Sequence, residues 1–343
     1  MDNSVILAVA GSGKTTHIIN SIDTTKSNLI ITYTENNFRN LRNRIIREYD
    51  GLPERTRVYT YFTFLYSFCL RPLCGDRYGL KGINFDIPPE FSSRQKNTNL
   101  RRYIDSHGRI YSCRIASFII NFNLVDDVKA RIKKYFDYLY VDEIQDFTAG
   151  DFNLLIAVSS GNTDSLLVGD FYQHTFGTSH DGNLNKSLYK DFGTYKKRLE
   201  DSGLSVDETT LSHSYRCSPT TCEFVTNNLG ITIDSHQTDT SIVDFVEDEG
   251  WAEVIFGKGH TVKLFYQSHN KYPCYSDNWG ASKGLDNFDS VCVVLNKTTE
   301  QHFRKGSLHK LAPTTRNKFY VACTRARSEL LFVPESYLKK YKV

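Results

Sequence analysis

No two cysteines are spaced as CxxC, and none of the eight, at positions 69, 74, 113, 217, 222, 274, 292 and 323, has histidines at zinc-ligand spacing. This excludes a structural zinc module and leaves a set of reduced thiols. No apolar stretch approaches the ~20 residues of a membrane span; the richest, residues 115–124, is broken by polar side chains. The first residues lack the cationic and apolar segments of a secretory signal, because the short run 4–9 leads straight into glycines. A cytoplasmic location, away from any membrane, is therefore the expectation. Repeats and low-complexity tracts are also missing, which excludes a disordered tail-carrier. The formal net charge is only +3, so any affinity for nucleic acid must be carried by motifs and not by gross charge.

What is present is a globular composition. With 343 residues, 40% of them apolar and 24% charged, the chain is long enough for two domains that each bury a core. Residues 4–9 form a short apolar run that ends in Ala10-Gly11-Ser12-Gly13-Lys14-Thr15-Thr16, and residues 17–22 suit a helix. A strand, a glycine loop and a helix in that order cradle phosphates. Small residues let backbone N–H groups converge on the anion, Lys14 reaches the β- and γ-phosphates, and Thr15 offers its hydroxyl to Mg²⁺. Ala8 stands where the first glycine of the general pattern falls.

Such a loop needs a second acid for its metal and a group that orients water. The apolar strand at 138–141 ends in Asp142-Glu143-Ile144-Gln145-Asp146, which places Asp142 to hold Mg²⁺ and Glu143 to act as general base. Taken alone, acids at a strand end do no more than solvate it; beside the glycine loop they read as its partner. A third strand, at 165–168, runs into Gly169-Asp170-Phe171-Tyr172-Gln173, where a glutamine can report the γ-phosphate. Further on, Ser214-Tyr215-Arg216 precedes Ser218 and Pro219, an N-cap and a first helical residue, with the helix ending at Gly230. Residues 290–295 read as a buried parallel strand, and Arg325 lies in a segment leading to another at 330–333. Arg216 and Arg325 are the candidate cations for the transferring phosphoryl group, an effect worth about 10³–10⁵ in rate where it has been measured. Either arginine taken singly is as readily a surface or ion-pair residue.

These segments, in this order, resemble the UvrD/Rep-like superfamily 1 helicases. Residues 8–15 look like motif I, Thr32-Tyr33-Thr34 like Ia, and Thr60-Tyr61-Phe62-Thr63-Phe64 like Ib. Residues 142–146 look like motif II, 169–173 like III, Tyr215-Arg216 like IV, 282–286 like V and 320–327 like VI. The resemblance implies an α/β fold of two RecA-like P-loop lobes with parallel sheets and an ATP site in the cleft between them. It places the first lobe at 1–205, with a small helical insertion near 66–125, and the second at 206–343. It further implies ATP and Mg²⁺ as cofactors, single-stranded nucleic acid as partner, DNA in that family, and 3′-to-5′ movement. Gly284 and Asp286 join the nucleotide site, and Tyr33, Thr34, Tyr61, Phe64 and Phe176 become candidates for the strand path, with core packing as the competing role for the aromatics. The arginines at 39, 42, 44 and 47 fit either a strand contact or a solvated helix face.

The chain also departs from that family. With only three residues ahead of the first strand, the upstream glutamine that reads adenine is not expected; Phe176 and Thr178 stand where a tryptophan is usual, Gly280 where a histidine is, and Asp286 where a glutamate is. Accessory domain 1B is reduced and 2B has no room. Two other readings stay open: an ATPase subunit, monomeric or in a complex, that gates or recruits a nuclease or replication protein without unwinding; and a viral-type RNA helicase, which also lacks large insertions and whose flavour Tyr215-Arg216-Cys217 has. A P-loop kinase would not need the distant arginine blocks.

Overall fold

Short runs of β-branched residues alternate with helices along the chain, the pattern that builds parallel sheets. The computed structural model describes residues 3–161, 163–175, 184–185, 187–285 and 287–343. The first unit comprises Met1–Ile6, Thr15–Gly169 and Gly177–Asp207, and the second Leu7–Lys14, Asp170–Phe176 and Glu208–Val343.

The first eight strands are β1 (Ser4–Leu7), β2 (Asn28–Thr32), β3 (Thr56–Thr60), β4 (Gly82–Asn84), β5 (Arg109–Tyr111), β6 (Tyr138–Asp142), β7 (Asp164–Gly169) and β8 (Ser205–Asp207). Six form one sheet in the order β3-β2-β6-β7-β1-β8, with parallel ladders between β1 and β8, β2 and β3, β2 and β6, and β6 and β7. Asn28-Leu29-Ile30-Ile31-Thr32 is buried at every position, as a strand covered on both faces requires. The chain runs from β1 out to β2 and β3, then returns through β6 and β7, so the order reverses beside β1. In open parallel sheets that reversal, at the carboxyl ends of the strands, is where ligands bind. Helix Glu35–Glu48 starts at Thr34, whose side chain accepts from the Asn37 N–H, and buries Leu41 and Ile45 while its arginines face outward.

Residues 66–125, expected to be helical, hold most of a π-helix (Phe64–Leu70), helices Arg71–Cys74, Glu90–Ser93 and Ile115–Asn121, and a parallel two-stranded ladder of β4 and β5. Alternation over three residues is too short a signal to separate such a ladder from loop.

The second unit contains β9 (His213–Ser214), β10 (Asp234–Ser235), β11 (Ile242–Phe245), β12 (Val262–Phe265), β13 (Ser276–Asn278), β14 (Ser290–Leu295) and β15 (Glu329–Pro334). Its five-stranded sheet, β11-β15-β14-β12-β13, is parallel throughout, and every residue of β14 is buried. Helix Pro219–Leu229 begins where Ser218 accepts from the Thr221 N–H and ends at Gly230, φ 65°, a left-handed position suited to glycine. Trp279 is fully buried and its indole N–H donates to the Leu264 carbonyl at 2.8 Å. Among the described residues, no helix is long and apolar enough to cross a membrane.

Candidate functional site

In the first unit, helix Lys14–Asn20 and the end of β6 bring Thr15 and Asp142 together. The Thr15 hydroxyl donates to Asp142 Oδ2 at 3.0 Å, and Asp142 is buried. A hydroxyl and a carboxylate oxygen are hard donors, the set that Mg²⁺ takes when phosphates and waters complete its shell. Among the described residues no cluster of three or more His, Cys, Asp or Glu could hold a metal. Thr15 and Asp142 would hold such a cation.

Glu143 follows in the left-handed region at φ 58°, ψ 48°. For a non-glycine residue this stores roughly 1–3 kcal/mol, strain that concentrates at functional sites. The turn is held by the Glu143 N–H donating to Asp142 Oδ1 at 3.0 Å and by the Gln145 amide donating to the Glu143 carboxylate. Gly169 on β7 leaves the space for it: a Cβ there would lie 2.3 Å from Gln145 Oε1 and 2.6 Å from Ile144 Cγ2. Thr16 accepts a hydrogen bond from Arg44, so Arg44 braces the helix after the loop, whereas Arg39, Arg42 and Arg47 are exposed.

The glycine loop itself packs within the second unit. Gly11 (φ 72°) and Gly13 (φ 86°) are left-handed, and a Cβ on Gly11 would come within 2.7 Å of both Arg216 Cβ and Ser214 Oγ. The Tyr215 N–H donates to the Gly11 carbonyl at 2.9 Å, Ser12 Oγ donates to the Val9 carbonyl at 2.8 Å, and Lys14 Nζ lies 3.4 Å from that same carbonyl. Ala10 donates its N–H to the Tyr320 hydroxyl at 2.9 Å, which donates to Asp170 Oδ2 at 3.1 Å. Gln173 Nε2 donates to the same oxygen at 3.0 Å, and Asp170 Oδ1 accepts from the Tyr172 N–H. A buried chain thus links the loop, the candidate sensor glutamine and the helix Pro313–Cys323. Burial, followed by the nearby Asp170 charge, holds the Tyr320 hydroxyl well above its ordinary range, so it stays a donor. Tyr320 was not singled out from the sequence; an aromatic on a helix carries no signal of its hydroxyl's partner.

Arg216 Nη1 donates to the Thr324 carbonyl at 3.1 Å. Arg325 is 1% exposed, its Nε donating to the Val321 carbonyl and its Nη1 to the Leu285 carbonyl. Arg327, by contrast, is exposed and lines a cavity of about 200 Å³ with Gly11, Tyr215, Arg216 and Gln237. The Tyr215 ring is 64% exposed and stacks on His236 at 4.0 Å. Sequence reasoning passed over Arg327 and the Tyr215 ring; the Thr-Arg-Ala-Arg run offers two cations, and only burial tells them apart. Gly284 is left-handed at φ 82° with open space around it. Asp286 and Phe176 lie outside the described residues.

The strand-path candidates separate by burial. Phe64 is fully buried and Tyr61 is 3% exposed. Tyr61 packs edge-on against Phe147 at 4.8 Å, and half-buried Tyr33 does so at 5.2 Å. Tyr61 and Phe64 are therefore core residues, which corrects their assignment to base stacking: i and i+3 on a helix share a face, and this face points inward. Thr34 is spent as a helix cap. The outward ring of the same segment is Phe62, 36% exposed and 5.4 Å from Phe85, which is 72% exposed.

A family model described as the viral superfamily 1 RNA helicase core domain matches residues 120–334. The chain belongs to that family. It is also similar in fold to the nonstructural protein 10 helicase of an arterivirus, solved in complex with DNA. That match has a TM-score of 0.50 and 14% identity, over 96% of this chain and 60% of that one. The helicase of PRRSV matches over 98% of this chain and 53% of its own, at 15% identity and a TM-score of 0.48. No curated protein matches the chain. This chain thus spans about 60% of the first solved helicase, and the architecture is α/β with two RecA-like, parallel-sheet lobes. Membership in superfamily 1 agrees with the resemblance drawn from the motifs, and the matching model is of the viral branch.

Proposed function

We propose that the protein is an ATP-driven motor that moves along single-stranded nucleic acid. The observation that carries this reading is the Thr15–Asp142 pair at 3.0 Å with strained Glu143 beside it, in a chain of the superfamily 1 helicase family. In this reading Ala10 to Thr16 cradle the phosphates and Lys14 neutralises the outer ones, leaving its weak contact with the Val9 carbonyl. Mg²⁺ supplies charge neutralisation when bound. The Glu143 carboxylate accepts a proton from the attacking water, and Gln145 holds that carboxylate in place. Gln173, hydrogen-bonded through Asp170 to Tyr320, senses the phosphate end. Arg216 and Arg327 reach the nucleotide through the cavity they line, Arg325 follows once its backbone bonds are exchanged, and the Tyr215 ring offers adenine a stacking surface.

Phe62 and Phe85 provide exposed rings for bases, a sequence-tolerant contact. The UvrD-like motif pattern supports DNA and 3′-to-5′ movement, whereas the viral family model supports RNA as a second reading. Steady-state ATP hydrolysis with single-stranded DNA, single-stranded RNA and neither decides between them. Stimulation by one strand type assigns the substrate. Hydrolysis indifferent to both would instead favour an ATPase that gates a partner protein.

A further inference from the structure

The first unit carries a concavity of about 510 Å³, whose lining includes Arg55, Arg57, Tyr59, Arg131, Tyr135 and Phe136. Arg55 precedes β3 and Phe136 precedes β6, while Arg57 and Tyr59 lie on β3, the edge strand. Arg55, Arg57 and Phe136 lie toward the amino ends of the parallel strands, and Tyr59 extends the lining along β3.

Three features of this cavity point to a ligand. Among the described residues, none of the three guanidinium groups is paired with a carboxylate. Arg55 donates to the Thr25 carbonyl and Arg57 to the Glu54 and Thr56 carbonyls, which fixes both without neutralising them. Glu54 also lines the cavity, but Asp137 nearby is occupied by the Ser27 N–H at 2.8 Å. Second, the Arg131 guanidinium is 5.0 Å from the centroids of both Phe68 and Tyr135, and its buried Nε finds no hydrogen-bond acceptor. A buried, charged donor without an acceptor is costly, so the Arg131 guanidinium keeps an unneutralised charge at the cavity wall. Third, four of the lining residues are aromatic, Tyr59, Phe68, Tyr135 and Phe136; Tyr59 is half-buried and Tyr135 is 46% exposed. Lys134, 5.5 Å from the Tyr135 ring centroid, has a flexible stem that can swing onto the same anion.

We propose that this cavity binds a nucleoside monophosphate, either free or as the 5′-phosphorylated end of a strand. Guanidinium groups match phosphate oxygens in pairs, the aromatic wall suits a base, and the volume lies within the range of small-molecule sites. No residue of the glycine loop lines the site.

The test is equilibrium binding of AMP, adenosine and a 5′-phosphorylated dinucleotide to the full chain, with Lys14→Ala, Arg57→Gln and Arg131→Gln as variants. Arg57 is exposed on an edge strand, so Arg57→Gln keeps the test valid if Arg131→Gln fails to fold, as a thermal melt would show. The proposal expects, in the Lys14→Ala chain, one AMP bound in preference to adenosine, and at least a tenfold loss when Arg57→Gln is added. Tighter binding of the dinucleotide assigns the pocket to a strand end, and equal binding assigns it to the free nucleotide; both uphold the site. AMP held no better than adenosine, AMP lost in Lys14→Ala but not in Arg57→Gln, or an acidic peptide bound where AMP is not, would each overturn it.

Discussion

Tyr320→Phe removes one oxygen and keeps the ring, which makes it a sensitive probe of the buried chain from Ala10 to Asp170. The hydroxyl accepts from the Ala10 N–H at 2.9 Å and donates to Asp170 at 3.1 Å. A neutral hydrogen bond is worth about 0.5–1.5 kcal/mol and one to a charged group about 1.5–3. Asp170 keeps its bonds from Tyr172 and Gln173, so the loss should fall at roughly 2–3 kcal/mol. Both tryptophans of the chain, Trp251 and Trp279, belong to the second unit, so urea unfolding followed by tryptophan fluorescence reports the unit in question. A double-mutant cycle with Asp170→Asn should give a coupling of about 1–2 kcal/mol. ATP turnover should fall as well, because the Ala10 N–H loses the hydroxyl that ties it to Asp170, the residue that also holds Gln173. A Tyr320→Phe protein within about 0.5 kcal/mol of the parent, with no coupling to Asp170, would show that the ring packs and the hydroxyl does nothing.

Gly11→Ala should abolish nucleotide binding and cost at least about 1 kcal/mol, since the residue is left-handed and its Cβ would meet Arg216 and Ser214 at 2.7 Å; a fluorescent ATP analogue and a thermal melt measure both. Phe62→Ala should weaken strand binding by about 1–3 kcal/mol with little change in stability, whereas Phe64→Ala should unfold the protein by about 3–5 kcal/mol; anisotropy with a labelled oligonucleotide, read beside denaturation curves, separates the two. Burial raises the Asp105 pKa, but hydrogen bonds from the Arg109 N–H and side chain, Asn84 and the His107 N–H outweigh it and hold the carboxyl at about 2. With the folded value below the unfolded one, its stabilisation is complete above about pH 4 and is lost as pH falls toward 2; amide exchange in the β4–β5 segment across that window should show protection falling, and Asp105→Asn should flatten the profile.

The glycine loop, the strand that ends in Asp142 and the helix from Pro219 to Leu229 were legible because each is spelled by local chemistry: glycines where φ is positive, an apolar run into acids, a serine cap before proline. Membership in superfamily 1 followed from the order of such segments, while the choice of branch did not, since the motifs share their chemistry across branches. Burial was the hidden variable at the strand path. Tyr61, Phe62 and Phe64 stand within four positions, and only the packing of Tyr61 against Phe147 and of Phe64 against Phe68 shows that two face inward and one outward. Tyr320, Tyr215 and Arg327 were hidden for a related reason: their partners Ala10, Asp170 and Gly11 are distant in sequence, and no spacing rule connects them. The parallel ladder of β4 and β5 escaped because a three-residue strand leaves too little alternation to read.

The central claim is tested most directly by steady-state ATP hydrolysis with and without single-stranded DNA or RNA, in the parent and in Glu143→Gln. The account predicts strand-stimulated turnover in the parent and a loss of at least about a hundredfold in Glu143→Gln, within the 10²–10⁴ typical of a general base, with nucleotide binding intact. Full turnover in Glu143→Gln would contradict it.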